Sequence, residues 1–239
     1  MSFNSGDRWT ARTAVPQVDI DVGLRQYMLR VYNYMAGGLA LTGIVAYGAV
    51  VTGVYQAIAG SILFYVVLFA PLALVLLLSF RLQSMSLGAA QLSFWGYAAL
   101  MGLSLAGIFL VYTGASIARV FFITGATFAA MSLYGYATRT DLSRFGSFLM
   151  MGLIGIIIAG IVNIFVASSA LQFAISVIGV IVFVGLTAWD TQAIKEMYFE
   201  GDGEVVAGKK AIMGALRLYL DFINLFLLML QFMGVQRRD

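Results

Sequence analysis

The sequence predicts an all-α membrane protein, a bundle of seven transmembrane helices, and three observations lead there. Hydrophobic residues fill 62% of the 239 positions and charged residues only 10%, too little charge to solvate the surface of a soluble domain. The mean hydropathy is +0.95. Apolar runs of about 20 residues, each long enough to cross a bilayer as a helix, recur seven times between short polar connections.

Residues 1–23 are polar, contain Asp7, Pro16, Asp19 and Asp21, and lack the apolar core of a signal peptide. They are expected to form a flexible tail ahead of a transmembrane domain over 24–239. The stretch Leu24–Tyr34 carries arginines and tyrosines suited to a membrane interface and leads into span one, expected at Met35–Tyr55. Span two, Ser61–Phe80, contains Pro71, an expected kink that neighbouring helices accommodate, and Arg81 closes it. Spans three to five are expected at Gly88–Val111, Ile117–Ala137 and Phe145–Ala167, with Asp141 as the N-cap of the fifth. Spans six and seven are Phe173–Ile194 and Ala215–Val235. Glycines gather inside the spans, Gly37, Gly38, Gly43 and Gly48 in the first and Gly152, Gly155 and Gly160 in the fifth, where small residues let helices approach closely.

The connections set an orientation. Those after spans one, three and five are uncharged, whereas those after two, four and six carry Arg81, Arg139, Arg144, Lys195, Lys209 and Lys210. With the tail arginines and Arg217, 11 of the 14 basic residues share one side; Arg119, Arg237 and Arg238 do not. Positive-inside bias makes the N-terminus cytoplasmic, and seven crossings then end outside. A re-entrant last segment would instead return Arg237 and Arg238 to the cytoplasm.

Spans six and seven each hold one aspartate, Asp190 and Asp221. A carboxylate at the centre of a membrane helix costs about 2.5–3.5 kcal/mol on insertion scales, less near the ends, and marks a functional site by default. Asp190 lies five residues before Lys195 and Asp221 four after Arg217, so at 1.5 Å per residue both are expected about 6–8 Å inside the same face. Consecutive spans are usually neighbours, and two carboxylates in one partly dry site do not readily both ionise. Either they share a proton or a cation intervenes. Asn224 and Gln192 are possible auxiliary ligands for such a cation. Arg217, at i−4 from Asp221, is an intrahelical counter-ion candidate, and Arg81 is a second one on the same face. Trp189 and Tyr219 read as interface anchors or packing residues.

The chain has no cysteine and no histidine. Thiol chemistry and imidazole ligands are thereby excluded, and any metal must be held by oxygen, which favours Ca²⁺ or Mg²⁺. The basic residues lie in membrane-flanking loops, so the net charge of +3 gives no reason to expect nucleic acid.

The stretches TGATFAAMSLYGYATRTDLSRFGSFL (124–149), GLTAWDTQAIK (185–195) and GALRLYLDFINLF (214–226) resemble those of the transmembrane Bax-inhibitor-motif family, and the resemblance runs from about Leu24 to the C-terminus. It implies a seven-helix bundle with the last helix central, in a bacterial cytoplasmic (inner) membrane. It also implies a pH-sensitive calcium leak whose sensor is an aspartate pair matching Asp190 and Asp221. The family's latch arginine at the end of helix two corresponds most nearly to Arg81. The chain departs from some members in having no acid over 61–80, and its third span reads MGLSLAGIF without the proline that follows the equivalent glycines in many.

The expected function is therefore that of a leak channel and not an enzyme, acting on calcium and protons in a lipid bilayer. The alternative is an interaction protein that modulates stress or cell-death signalling or a membrane-bound ATP-dependent protease, with 1–23 as the contact. An intramembrane aspartyl protease would also use two aspartates on adjacent spans, but Asp221 sits in LYLDF, without the flanking glycine that would open the backbone.

Overall fold

The computed structural model describes residues 17–237. Seven of its helices are long and apolar enough to span a membrane: α1 Gln17–Val51, α2 Ile62–Arg81, α3 Leu87–Leu105, α4 Gly114–Ala137, α5 Ser143–Val166, α6 Ser169–Glu196 and α7 Glu204–Met233. Single helical turns, Val54–Ile58 and Ile108–Val111, follow α1 and α3. The protein is an all-α integral membrane protein, and its surroundings are a lipid bilayer.

Local signals explain most of the ends. Ser86, Thr113 and Ser168 precede α3, α4 and α6, and each hydroxyl accepts a backbone N–H from three residues on, satisfying amides that a helix start leaves free. Asp141 lies one position further out than expected. Leu142 is the N-cap of α5, and the Asp141 carboxylate accepts the Ser143 N–H at 2.8 Å. These bonds hold its carboxyl below the usual carboxylate range.

Pro71 sits inside α2 without ending it. Because proline has no N–H, the Val67 carbonyl one turn earlier lacks its helical donor, and Ser104 Oγ of α3 donates to that carbonyl instead.

Two boundaries differ from expectation. The segment Leu24–Tyr34 is part of α1 and not an interfacial lead-in: Tyr27, Met28, Val31 and Met35 form a buried stripe while Arg25 and Arg30 face outward. One-sided charge does not interrupt a helix. Of the expected tail, residues 17–23 are also helical, and 1–16 lie outside the described residues. At the other end α7 begins at Glu204, eleven residues before the expected start, with Lys209 and Lys210 in its first turns.

The core surrounds α7. Some 67% of its most apolar stretch is buried, against 39% for α6 and none for α5. It packs on α1, α3, α4 and α6, whereas α2 leans on α3 and α5 on α6. Gly135 brings α4 onto the Ala188 backbone of α6 so closely that a Cβ would lie 2.2 Å from the Ala188 carbonyl oxygen. At the far end Thr113 N–H donates to the Val235 carbonyl and Arg237 N–H to that of Val111, tying the end of α7 to the α3–α4 connection. A continuous 30-residue helix runs about 45 Å, long enough to cross a bilayer in one pass.

Candidate functional site

Antiparallel packing of α6 on α7 brings Asp190 and Asp221 face to face, within hydrogen-bonding reach of one another. The connection between the helices fixes this register. Lys210 near the start of α7 forms an ion pair with Asp202 and donates to the Met197 carbonyl, and Ile194 of α6 lies against Gly214 of α7. Asp221 is about 16–18 Å along α7 from Lys209 and Lys210, and it meets Asp190 because α7 overhangs the end of α6 by several residues.

The Asp221 side chain is turned into the seam. The residue is 5% exposed, and its Oδ2 is buried with no hydrogen-bond partner among the described residues. Asp190 faces outward slightly more, and Arg217 Nη1 stands 3.6 Å from its Oδ1, a distance for an ion pair and not a hydrogen bond. Arg217 thus crosses to the neighbouring helix and makes its ion pair with Asp190, not with Asp221 four residues ahead.

The pair opens on a groove of ≈ 470 Å³ bounded by α5 and α7, with α6 at its base. Most of its wall is apolar, including Ile156, Phe183 and Leu227. Along α7, however, Arg217, Asp221, Asn224 and Gln231 all line it, the i, i+4, i+7, i+14 spacing of one helix face. This polar stripe extends about 21 Å. It ends where Gln231 accepts from Gln172 Nε2 at 2.7 Å, beside Ser176.

The remaining candidates separate clearly. Asn224 lines the groove, and its Nδ2 donates to the Leu220 carbonyl, which leaves its amide oxygen to a cation. Gln192 is a correction. Its Oε1 accepts from the Leu142 N–H at 2.8 Å and its Nε2 donates to the Thr140 carbonyl at 2.9 Å, so both ends are committed to the α4–α5 connection. Arg81 is exposed at the end of α2 and has no ion-pair partner among the described residues. The cation beside the pair is Arg217, because α2 packs on α3 and does not border the groove. Trp189 packs on Gly146 of α5, and Tyr219 is fully buried, its hydroxyl 2.6 Å from Thr42 Oγ1. No third acidic side chain joins the pair among the described residues.

Two hydroxyl chains escaped the sequence reading. Thr42 bridges Tyr219 to the Ala98 carbonyl. Tyr32, Ser132 and Thr191 link α1, α4 and α6, ending on the Thr187 carbonyl. The only advance signal was the i, i+4 spacing of Thr187 and Thr191.

Fold and site together define a polytopic helical membrane protein with two carboxylates and a guanidinium meeting in a lateral groove. The model of the family described as "Inhibitor of apoptosis-promoting Bax1" matches residues 24–238, and the chain belongs to that family. It is 50% identical over 231 residues to protein RP147 of Rickettsia prowazekii, covering 96% of this chain and 98% of that one. It is 49% identical over 219 residues to the inner membrane protein YbhL of Escherichia coli K12, covering 90% and 94%. A protein of Caulobacter vibrioides is 43% identical over 246 residues, 98% of each chain.

Proposed function

We propose that this protein is a pH-sensitive calcium leak of a bacterial inner membrane, with its N-terminus in the cytoplasm and the Asp190–Asp221 pair as both ion site and proton sensor. The observation that carries the reading is the meeting of the two carboxylates beside a single guanidinium. One shared proton on the pair and the Arg217 charge sum to zero, an arrangement a low-dielectric site tolerates. Loss of that proton leaves one uncompensated negative charge, which a cation entering the groove neutralises. Protons and calcium therefore compete for the same oxygens, and calcium occupancy falls as pH falls. Asn224 is the neutral oxygen nearest to hand on the same helix face. The relative YbhL supports the inner-membrane location, and the side on which the basic residues lie supports the orientation.

The test is calcium flux into proteoliposomes across a pH series. Asp190→Asn and Asp221→Asn should each abolish most of the flux and flatten its pH dependence. Unchanged flux in both variants would remove the proposal. If flux survives and deletion of residues 1–23 instead abolishes co-purification with a membrane-bound protease, the protein is an interaction partner and the aspartates are structural.

A further inference from the structure

A second cavity, of ≈ 700 Å³, lies between α1 and α4 and takes no part in the aspartate site. The helices stand apart there, and the gap reaches inward to Phe128 of α4 and Phe222 of α7, two buried rings in edge contact. Met28, Leu29 and Met35 of α1 face Gly125, Ala129 and Leu133 of α4 across it. Among the described residues nothing lies within 4 Å of where a Cβ on Gly125 would stand, so no described neighbour fills the space. Methionines make such a wall adaptable in shape.

The slot is polarised along its length. From Arg25 to Met35 it follows α1 for about 15 Å, and among the described residues its only charged lining residue is Arg25, at the end where α1 starts. Tyr136 is opposite, with Lys195 Nζ 5.3 Å from its ring and donating to its carbonyl. Arg139 follows on the same side, just past the end of α4. An apolar channel with a guanidinium at its mouth is complementary to a hydrocarbon chain with a phosphate at its head, because guanidinium binds phosphate oxygens in a two-pronged geometry.

We propose that the α1–α4 slot binds one acyl chain of an anionic glycerophospholipid, with the lipid phosphate on Arg25. A partner helix is the wrong shape. The Tyr32–Ser132 hydrogen bond, 2.6 Å long, joins the two walls partway along. A rod 10–12 Å across does not pass it to reach Phe222, whereas a single methylene chain lies alongside it. The recess down to an α7 side chain separates this lipid from those that merely surround the bundle.

The experiment uses the full chain in nanodiscs of equimolar phosphatidylglycerol and phosphatidylethanolamine, with retained lipid read by native mass spectrometry. One phosphatidylglycerol should stay bound, enriched about fivefold over the neutral-headgroup lipid, the effect of one basic side chain near a membrane surface. Arg25→Gln should abolish that preference, and Gly125→Leu, which fills the slot, should remove the retained lipid altogether. Because Gly125→Leu can also perturb packing, phosphatidylglycerol bearing an acyl diazirine is photolysed on the unmodified protein. Adducts should map to slot residues such as Met28, Met35 and Ala129. Adducts confined to other faces, retention indifferent to Arg25→Gln, displacement by oleate at equal concentration, or a cross-linked second copy across α4 would each overturn the proposal.

Discussion

Removing the charge of Arg217 asks whether the aspartate pair is restrained by a cation belonging to its own chain. The guanidinium stands 3.6 Å from Asp190. At an effective dielectric constant of about 20, that separation corresponds to a gross attraction of roughly 4–5 kcal/mol. The Arg217 side chain is 44% exposed and that of Asp190 13%, so solvent screening reduces the net coupling to about 1 kcal/mol. A divalent ion must displace the guanidinium or share the carboxylates with it, and either way the coupling is subtracted from the ion's affinity.

Arg217→Gln should therefore raise the apparent calcium affinity of the pair by about fivefold, at 1.4 kcal/mol per decade, and increase the leak at low calcium. Arg217→Lys keeps the charge and should stay within about threefold of the unmodified protein. Isothermal titration in detergent gives the affinity, and calcium-indicator fluorescence inside proteoliposomes gives the flux. If Arg217→Gln leaves both within about twofold, or weakens them as Asp190→Asn does, the guanidinium is a structural partner and the competition argument is wrong.

Other predictions concern the frame around the site. Gly135→Ala places a Cβ against the Ala188 carbonyl and should destabilise the α4–α6 contact by about 1–3 kcal/mol. Gly155→Ala meets no described neighbour and, alanine being the better helix former, should leave the thermal midpoint unchanged or slightly raised. Ser104→Ala leaves the Val67 carbonyl, already without its helical donor, unpaired beside Pro71, and should cost about 1 kcal/mol in denaturant titrations. Asp141 has a depressed folded-state pKa, so its contribution to stability is fully present above the ordinary carboxylate value. That contribution is lost as pH falls through the folded value. Asp141→Asn should remove this part of the acid sensitivity while the Ser143 N–H keeps an acceptor, as read by unfolding curves at matched acidic pH.

The seven spans were legible because hydropathy over about 20 residues is a local property, whereas the cap assigned to Asp141 falls on Leu142. What hydropathy misplaces is a helix that continues past its apolar stretch. Arg25 and Arg30 on α1, and Lys209 and Lys210 on α7, break the run of hydrophobicity without breaking the helix. The meeting of Asp190 with Asp221 could be anticipated from neighbouring spans and charge cost. The partner of Arg217 could not. A spacing of four residues favours Asp221, but that carboxylate points into the α6–α7 seam while Asp190 points toward the groove. Gln192 shows the same limit: its partners, Leu142 and Thr140, lie some fifty residues away in sequence and leave no trace near it.

The poverty of the site in ligands bears on what kind of calcium site it would be. Calcium is held tightly when six to eight oxygens converge on it. Here two carboxylates and the Asn224 amide oxygen are the side-chain oxygens left to an ion in the groove among the described residues, since Gln231 Oε1 accepts from Gln172 and Ser176, no third acid joins them, and Gln192 is occupied elsewhere. Water must complete the shell, which makes binding weak and exchange fast. Conduction needs that balance, since an ion must be attracted enough to enter and held loosely enough to leave. Asn224→Asp reverses the balance by adding a third carboxylate on the same face of α7. It should tighten calcium binding by about tenfold or more while lowering the maximal flux, because release becomes limiting. Titration and flux must therefore move in opposite directions; if both rise together, the site does not lie on the path of the ion.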